Sequence, residues 1–346
     1  MPLTHADAFA SGETAPREPS AGPFPNIPIE SQSALSLEEF SHEYLRGWGK
    51  PAVVTGAIDS WPARYKWTFD FFAERYGTET ILAVDDQIKP TVGRRVEFSE
   101  FLVYCQSPSL SILGEVSTPR PLYASYRPFS KHPELLDDFH QLSFVKNSFL
   151  QLKGELQDWY NESFGWLFFG PTGTVTPLHV DHFMTHSWLA QLAGRKRVLL
   201  FSPQDVDRIP GLSPADALLP DLFFQKKEDR PAHPDVESHS STGAVQTYEA
   251  IIGPGEVIFI PAGWAHTVTS LEPSITMSFD VINEFNLIPH LMMICRKLPQ
   301  WSQKINTPTF RRANQVRWSA RDFSFLDTSP PRPGQSARDL QGSRRK

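Results

Sequence analysis

Two hydrophobic rhythms divide the 346-residue chain. Between residues 35 and 104 the apolar positions fall mostly at helical spacing. Leu37, Phe40, Tyr44 and Leu45 follow Ser36 and the acidic pair Glu38 and Glu39, which predicts a capped helix over 35–47. Trp67 to Tyr76, closed by Gly77, predicts a second helix with a glycine stop, and Phe98 to Tyr104 a third. Short apolar runs at Pro51–Thr55 and Thr80–Val84 read as strands between them. From Gly165 the pattern changes to short runs rich in β-branched and aromatic residues, broken by Gly and Pro: Trp166–Phe169, Ser187–Leu192, Arg197–Phe201, Val245–Ile252, Val257–Ile260 and Ser274–Val281. Gly194, Gly253-Pro-Gly255 and Pro261-Ala-Gly263 supply the turns. Such spacing predicts an antiparallel barrel or sandwich. Phe285 to Trp301 returns to helix, with Ile288, Leu291, Met292 and Cys295 on one face.

The expected organisation follows. Residues 1–33 carry six prolines without apolar periodicity and read as a disordered leader. Residues 34–164 form an N-terminal α/β segment packing on the core. Residues 165–283 are the β-rich unit, with a polar insertion at about 204–244. Residues 284–327 are a C-terminal helical segment, and 328–346 a disordered basic tail. Net charge is −6, so the overall balance argues against nucleic acid as a partner, and the tail reads as solvated. Two cysteines, Cys105 and Cys295, exclude a disulfide framework and fit a reducing compartment. No apolar run approaches the ~18 residues of a membrane span, and no basic segment precedes an apolar core at the N-terminus. The expectation is a soluble, cytoplasmic protein.

Chemistry concentrates in Gly170–Pro203 and Gly253–Ser270. In the first stretch His179-Val-Asp181 sits on a strand, where alternation points both side chains to one face. His266, 87 residues after His179, is the candidate third ligand. Two histidines and one carboxylate on one face are the donor set of non-haem Fe(II) oxygenases, although an HxD pair alone is a common accident. Lys196 lies between Arg195 and Arg197 at the start of an apolar run, so alternation sends it opposite to both. A lysine pointing into a barrel needs an anion; the bland reading is a solvated basic turn. His182 has the wrong parity to join the ligands, and His186 reads, like His182, as a loop or rim residue. His233 and His239 fall in the insertion. Trp61, Trp67, Trp166 and Trp264 read as core.

The segments GPTGTVTPLHVD, AQLAGRKRVLLFSP and GEVIFIPAGWAHTV resemble the cupin-like JmjC-domain Fe(II)/2-oxoglutarate-dependent hydroxylases. KPAVVTGAIDSWPARYKWTFDFFAERYG, upstream, is similar to bacterial-type members, and the resemblance covers roughly residues 35–300. It implies a mainly β fold with α: a double-stranded β-helix (cupin, jelly-roll) core with N-terminal α/β elements and C-terminal helices. It also implies His179, Asp181 and His266 as Fe(II) ligands, with 2-oxoglutarate and O2 as cosubstrates. Lys196 matches the lysine that pairs with the distal carboxylate of 2-oxoglutarate, with hydroxyl support from Thr176 and Tyr123. Ser278 falls where members place a Thr or Ser facing the cosubstrate, and Trp188 where an aromatic follows the HxD loop. Asp280 departs from the pattern, standing where many relatives carry asparagine. The implied activity is hydroxylation of an unactivated C–H bond on an amino-acid side chain of a protein or peptide. Alternatives are a small-molecule or RNA-nucleoside hydroxylase, an N-methyl-lysine demethylase, or a non-oxygenase metal-binding cupin. C-terminal helices in relatives suggest a homodimer.

Overall fold

The computed structural model describes residues 25–85, 92–108, 121–148, 165–205, 209 and 245–293. Outside them lie the leader to residue 24, most of the 204–244 insertion with His233 and His239, the expected helix beyond residue 293 with Cys295, and the tail. The strands are β1 (Ile29–Ser31), β2 (Ala52–Thr55), β3 (Thr80–Asp85), β4 (Val92–Glu97), β5 (Tyr123–Tyr126), β6 (Trp166–Gly170), β7 (Val175–Val180), β8 (His186–Ala193), β9 (Lys196–Phe201), β10 (Thr247–Ile252), β11 (Val257–Ile260), β12 (Ala265–Ser270) and β13 (Ser274–Val281). They form a nine-stranded sheet in the order β1-β2-β11-β8-β13-β6-β5-β3-β4 and a four-stranded sheet in the order β10-β9-β12-β7. This is the jelly-roll arrangement that the sequence predicts, two facing sheets linked by crossovers.

Among the described residues, four α-helices precede the barrel: α1 (Leu37–Tyr44), α2 (Ala63–Lys66), α3 (Phe69–Tyr76) and α4 (Phe98–Gln106). The start of α1 is fixed locally: Ser36 Oγ accepts from the Glu39 amide at 3.2 Å while Glu39 Oε2 accepts from the Ser36 amide at 2.8 Å, a capping box. Helix α3 ends at Gly77 as expected, but not by a left-handed glycine stop, since its φ is −56°. Glycine is needed there because a Cβ would sit 2.2 Å from the Ala73 carbonyl oxygen, with Ser99 Cβ of α4 at 3.0 Å.

One apolar face of each long helix covers the outer face of the large sheet. Phe40 of α1 meets Phe259 edge-on at 5.0 Å, and Phe72 and Phe98 meet Phe169 at 5.0 and 5.1 Å. Trp61, Trp67 and Trp188 join this core. A second core, with Val53, Leu189, Val198, Leu200, Ile258 and Ile260, fills the interior between the sheets.

Beyond the two ligand-bearing strands β7 and β12, three strands escaped the hydrophobic pattern. Ile29–Ser31, inside the stretch expected to be leader, pairs in parallel with β2, and Ile27 beside it is buried. Strands β4 (VGRRVE) and β5 (YASY) are short or polar, and their pairing partners β3 and β6 define them. No helix among the described residues is long and apolar enough to cross a membrane.

Candidate metal centre and cosubstrate pocket

Strands β7 and β12 pair antiparallel, setting His179 directly opposite His266 with ring centroids 4.2 Å apart. Asp181 follows β7 with the parity of His179. Its Oδ1 lies 3.6 Å from His179 Nε2 and 3.8 Å from His266 Nε2, too far for hydrogen bonds. One donor atom from each residue falls within 4.8 Å of the others. The remaining polar atoms are engaged elsewhere. His179 Nδ1–H donates to the Pro177 carbonyl at 2.8 Å and His266 Nδ1–H to the Trp264 carbonyl at 3.2 Å. Ser187 Oγ–H donates to Asp181 Oδ2. Both imidazoles are thereby oriented with Nε2 inward, and the carboxylate is turned so that one oxygen faces them, the outer-shell pattern of a metal site.

The electrostatics keep His266 neutral and Asp181 anionic, with His179 sharing the carboxylate's charge. Burial and the facing His179 ring push His266 down to about 4, against the pull of Asp181. Burial raises the Asp181 carboxyl, but the two histidines and the Ser187 hydrogen bond outweigh it and hold it below the usual carboxylate range. Burial lowers His179, yet Asp181 as counter-ion leaves it raised overall. A divalent cation among the three would take the place of the His179 proton beside the Asp181 carboxylate, and the donor set suits Fe(II).

The neighbouring cavity is lined by Tyr123, Phe168, Phe169, Gly170, Thr174, Thr176, Lys196, Val268 and Ser270. Lys196 opens β9 and is 7% exposed. Its flanking arginines have carboxylate partners: Arg195 Nε is 2.6 Å from Glu272 and Arg197 Nε 2.5 Å from Glu249. Lys196 has no ion-pair partner among the described residues, only the Phe168 ring at 5.9 Å. Burial alone pushes its amine down to about 7. A buried, unneutralised amine in a polar cavity fits a ligand carboxylate.

Thr176 reaches this cavity through an irregularity. His179 pairs with His266 and Thr176 with Val268, three steps on β7 against two on β12. The bulge lets residues of opposite parity face the same interior, and Pro177, which has no amide hydrogen, sits inside it.

The structure thus brings His179, Asp181 and His266 together, and gathers Lys196, Thr176 and Tyr123 around one cavity. Ser278 is on the inner face of β13 but does not line that cavity; it lies opposite Trp166 and Leu189. Trp188 points the other way, stacked on Phe279 at 5.7 Å in the outer core. His186 is no rim residue: it is 3% exposed and its Nδ1 accepts from the Ala262 amide at 2.9 Å. Trp166 departs from the core reading too, lying half-buried beneath the Arg127 guanidinium at 4.6 Å. Asp280 is cross-strand to Ser187, with Oδ1 3.5 Å from Thr185 Oγ1. Burial and the Asp181 charge push its carboxyl up to about 7, against Thr185 and Arg127. Sequence reasoning missed Ser187, Thr174 and Ser270. Ser270 shares the parity of His266, which was the available signal; Thr174 donates to it at 2.9 Å.

Comparison with known proteins agrees with this geometry. The cupin-like domain family matches residues 37–280. The chain belongs to that family. Among cupin-like relatives, it is 26% identical over 273 residues to the Arabidopsis thaliana lysine-specific demethylase JMJ21, covering 76% of this chain and 26% of the relative. It is 25% identical to the Mus musculus 2-oxoglutarate and iron-dependent oxygenase JMJD4, over 75% of this chain and 61% of the relative. To the Caenorhabditis elegans bifunctional arginine demethylase and lysyl-hydroxylase psr-1 it is 24% identical, over 73% and 60%. The names of these relatives describe a demethylase, a 2-oxoglutarate and iron-dependent oxygenase and a lysyl-hydroxylase. The chain spans less than two thirds of the length of each of the three.

Proposed function

We propose that the chain is an Fe(II)- and 2-oxoglutarate-dependent oxygenase that hydroxylates an unactivated C–H bond on an amino-acid side chain of a protein or peptide. The convergence of three donor atoms within 4.8 Å, beside a cavity holding an unneutralised buried lysine, carries this reading. His179, Asp181 and His266 would hold the metal through two Nε2 atoms and Oδ1. Lys196 would pair with the distal carboxylate of 2-oxoglutarate, with Thr176 and Tyr123 donating hydroxyl hydrogen bonds to it; Ser278 would face the cosubstrate from β13. When bound, iron with 2-oxoglutarate and O2 supplies the oxidising power that side chains lack, yielding succinate, CO2 and the hydroxylated product. The protein's part is to orient the reacting bond and exclude water.

A protein substrate is supported by relatives whose names specify lysine or arginine residues. The homodimer expected through the C-terminal helix gains no support: its described part, 287–293, leaves only Leu287 and Leu291 exposed among its large apolar residues. The buried free thiol of Cys105 is in keeping with a reducing, cytoplasmic setting.

The test is conversion of 2-oxoglutarate to succinate with Fe(II), coupled to mass spectrometry of peptide and protein pools. The expected product gains one oxygen; loss of a methyl group would instead indicate demethylation. Succinate formation that survives in both His179→Ala and Asp181→Ala would sink the assignment.

A further inference from the structure

Phe183 and Met184 are the only non-glycine residues with left-handed backbone among the described residues, at φ 56° and 58°. They stand two and three positions after Asp181, before β8 begins. Neither is glycine, asparagine or aspartate, the types that enter this region readily, so the turn must be held by its surroundings.

The hold comes from the segment after β13. His290 Nδ1–H donates to the Phe183 carbonyl at 2.8 Å. The side-chain amide of Asn286 donates to the Met184 carbonyl at 3.0 Å and to the Val281 carbonyl at 3.1 Å. Its Oδ1 accepts from the Asn283 amide at 2.9 Å, which fixes the amide's orientation. Residues 286 and 290, four apart, lie on one face where the chain enters helix 287–293. His290 is 0% and Asn286 2% exposed. Met293 packs against Met184 and Ala262 on the same side. The far end of the turn is tied as well, through His186 to the Ala262 amide, four residues before His266.

We propose that Asn286 and His290 are positioning residues for the metal centre. By hydrogen-bonding the two left-handed carbonyls they fix the exit of β7, and with it the direction of the Asp181 carboxylate. The segment beyond the barrel thus sets metal affinity without touching the metal. This rests on the metal reading of His179, Asp181 and His266.

The experiment uses the full chain and Co(II) alone as probe, followed by visible absorption. Asn286→Ala is expected to weaken Co(II) binding about tenfold or more, and His290→Phe several-fold, the scale of outer-shell changes. Tyr76→Phe, which loses the hydroxyl hydrogen bond of α3 to Glu134, should leave affinity unchanged. Adding Phe183→Asn to Asn286→Ala should recover part of the affinity, because asparagine tolerates left-handed backbone; a merely weakened fold would not recover. Should Asn286→Ala fail to fold, His290→Phe carries the test, together with faster amide exchange at 183–186 in the metal-free protein. Unchanged affinity and exchange beside intact Co(II) binding by the unmodified chain overturn this proposal alone. Failure of the unmodified chain to bind Co(II) overturns the metal reading and this proposal with it.

Discussion

On the outer face of the nine-stranded sheet, Phe169 and Phe259 meet aromatics of α1, α3 and α4, while Trp188 meets Trp61 and stacks on Phe279. On the inner face of the same strands, alternation places Ser187, Gln191, Thr276, Ser278 and Asp280. The outer face is chemically inert and closely packed; the inner face mixes apolar residues with polar groups of two kinds. Gln191 is fully satisfied, donating to the carbonyls of Ala193 and Gly194 and accepting from Thr276. Lys196, across the interior, has no such partner. Burial of a polar group therefore does not by itself mark function. A buried polar group left unneutralised does, because such an arrangement persists against its own desolvation penalty only where a ligand completes it.

The sharpest way to break the comparison is at the metal. His179→Ala or Asp181→Ala should reduce 2-oxoglutarate turnover to background while calorimetry finds the fold intact. Phe72→Ala, in the outer core, should do the reverse: unfolding should become easier by ~3–5 kcal/mol, with Co(II) affinity of the folded protein unchanged. Lys196→Met should cost ~2–5 kcal/mol in 2-oxoglutarate binding by isothermal titration, yet leave the ligand-free protein more stable near neutral pH. The sign follows from the amine being pushed down to about 7 from 10.5. Between those values the unfolded chain binds a proton that the folded chain does not, so folded stability from this group rises with pH and is lost as pH falls towards 7. The stability advantage of the methionine variant should therefore shrink between pH 7 and 10.5 in urea titrations. By the same logic, 2-oxoglutarate binding at pH 8 should take up a proton, visible as a dependence of the binding enthalpy on buffer ionisation. Smallest is Ser187→Ala, which frees Asp181 Oδ2 and should weaken Co(II) binding about tenfold.

Between Phe183 and Met184 of the turn and the lysine of β9 lies a contrast in legibility. His179 and Asp181 were readable because parity along one strand is local, and Lys196 because its neighbours must point away from it. The capping box of α1 was equally local. His186 was misread because neighbouring positions on β8 belong to different layers, and only the second sheet determines which face is interior. Thr176 was named by resemblance alone, since simple alternation sends it away from His179; the bulge brings it back. Ser187, Ser270, Asn286 and His290 carry no motif.

The sequence by itself pointed to His179 and Asp181 on one strand face, to Lys196 opposite its flanking arginines and to the division into a helical segment and a β-rich unit, because these depend on periods of 3.6 and 2 within short stretches. His266 as third ligand and the cosubstrate role of Lys196 came from resemblance. Only the tertiary structure decided that His266 faces His179, that Tyr123 joins Lys196 and Thr176, and that the left-handed turn after Asp181 is held from the far side of the barrel. Those are contacts between residues as much as 107 positions apart. Their geometry is set by strand register and packing, which no local pattern encodes.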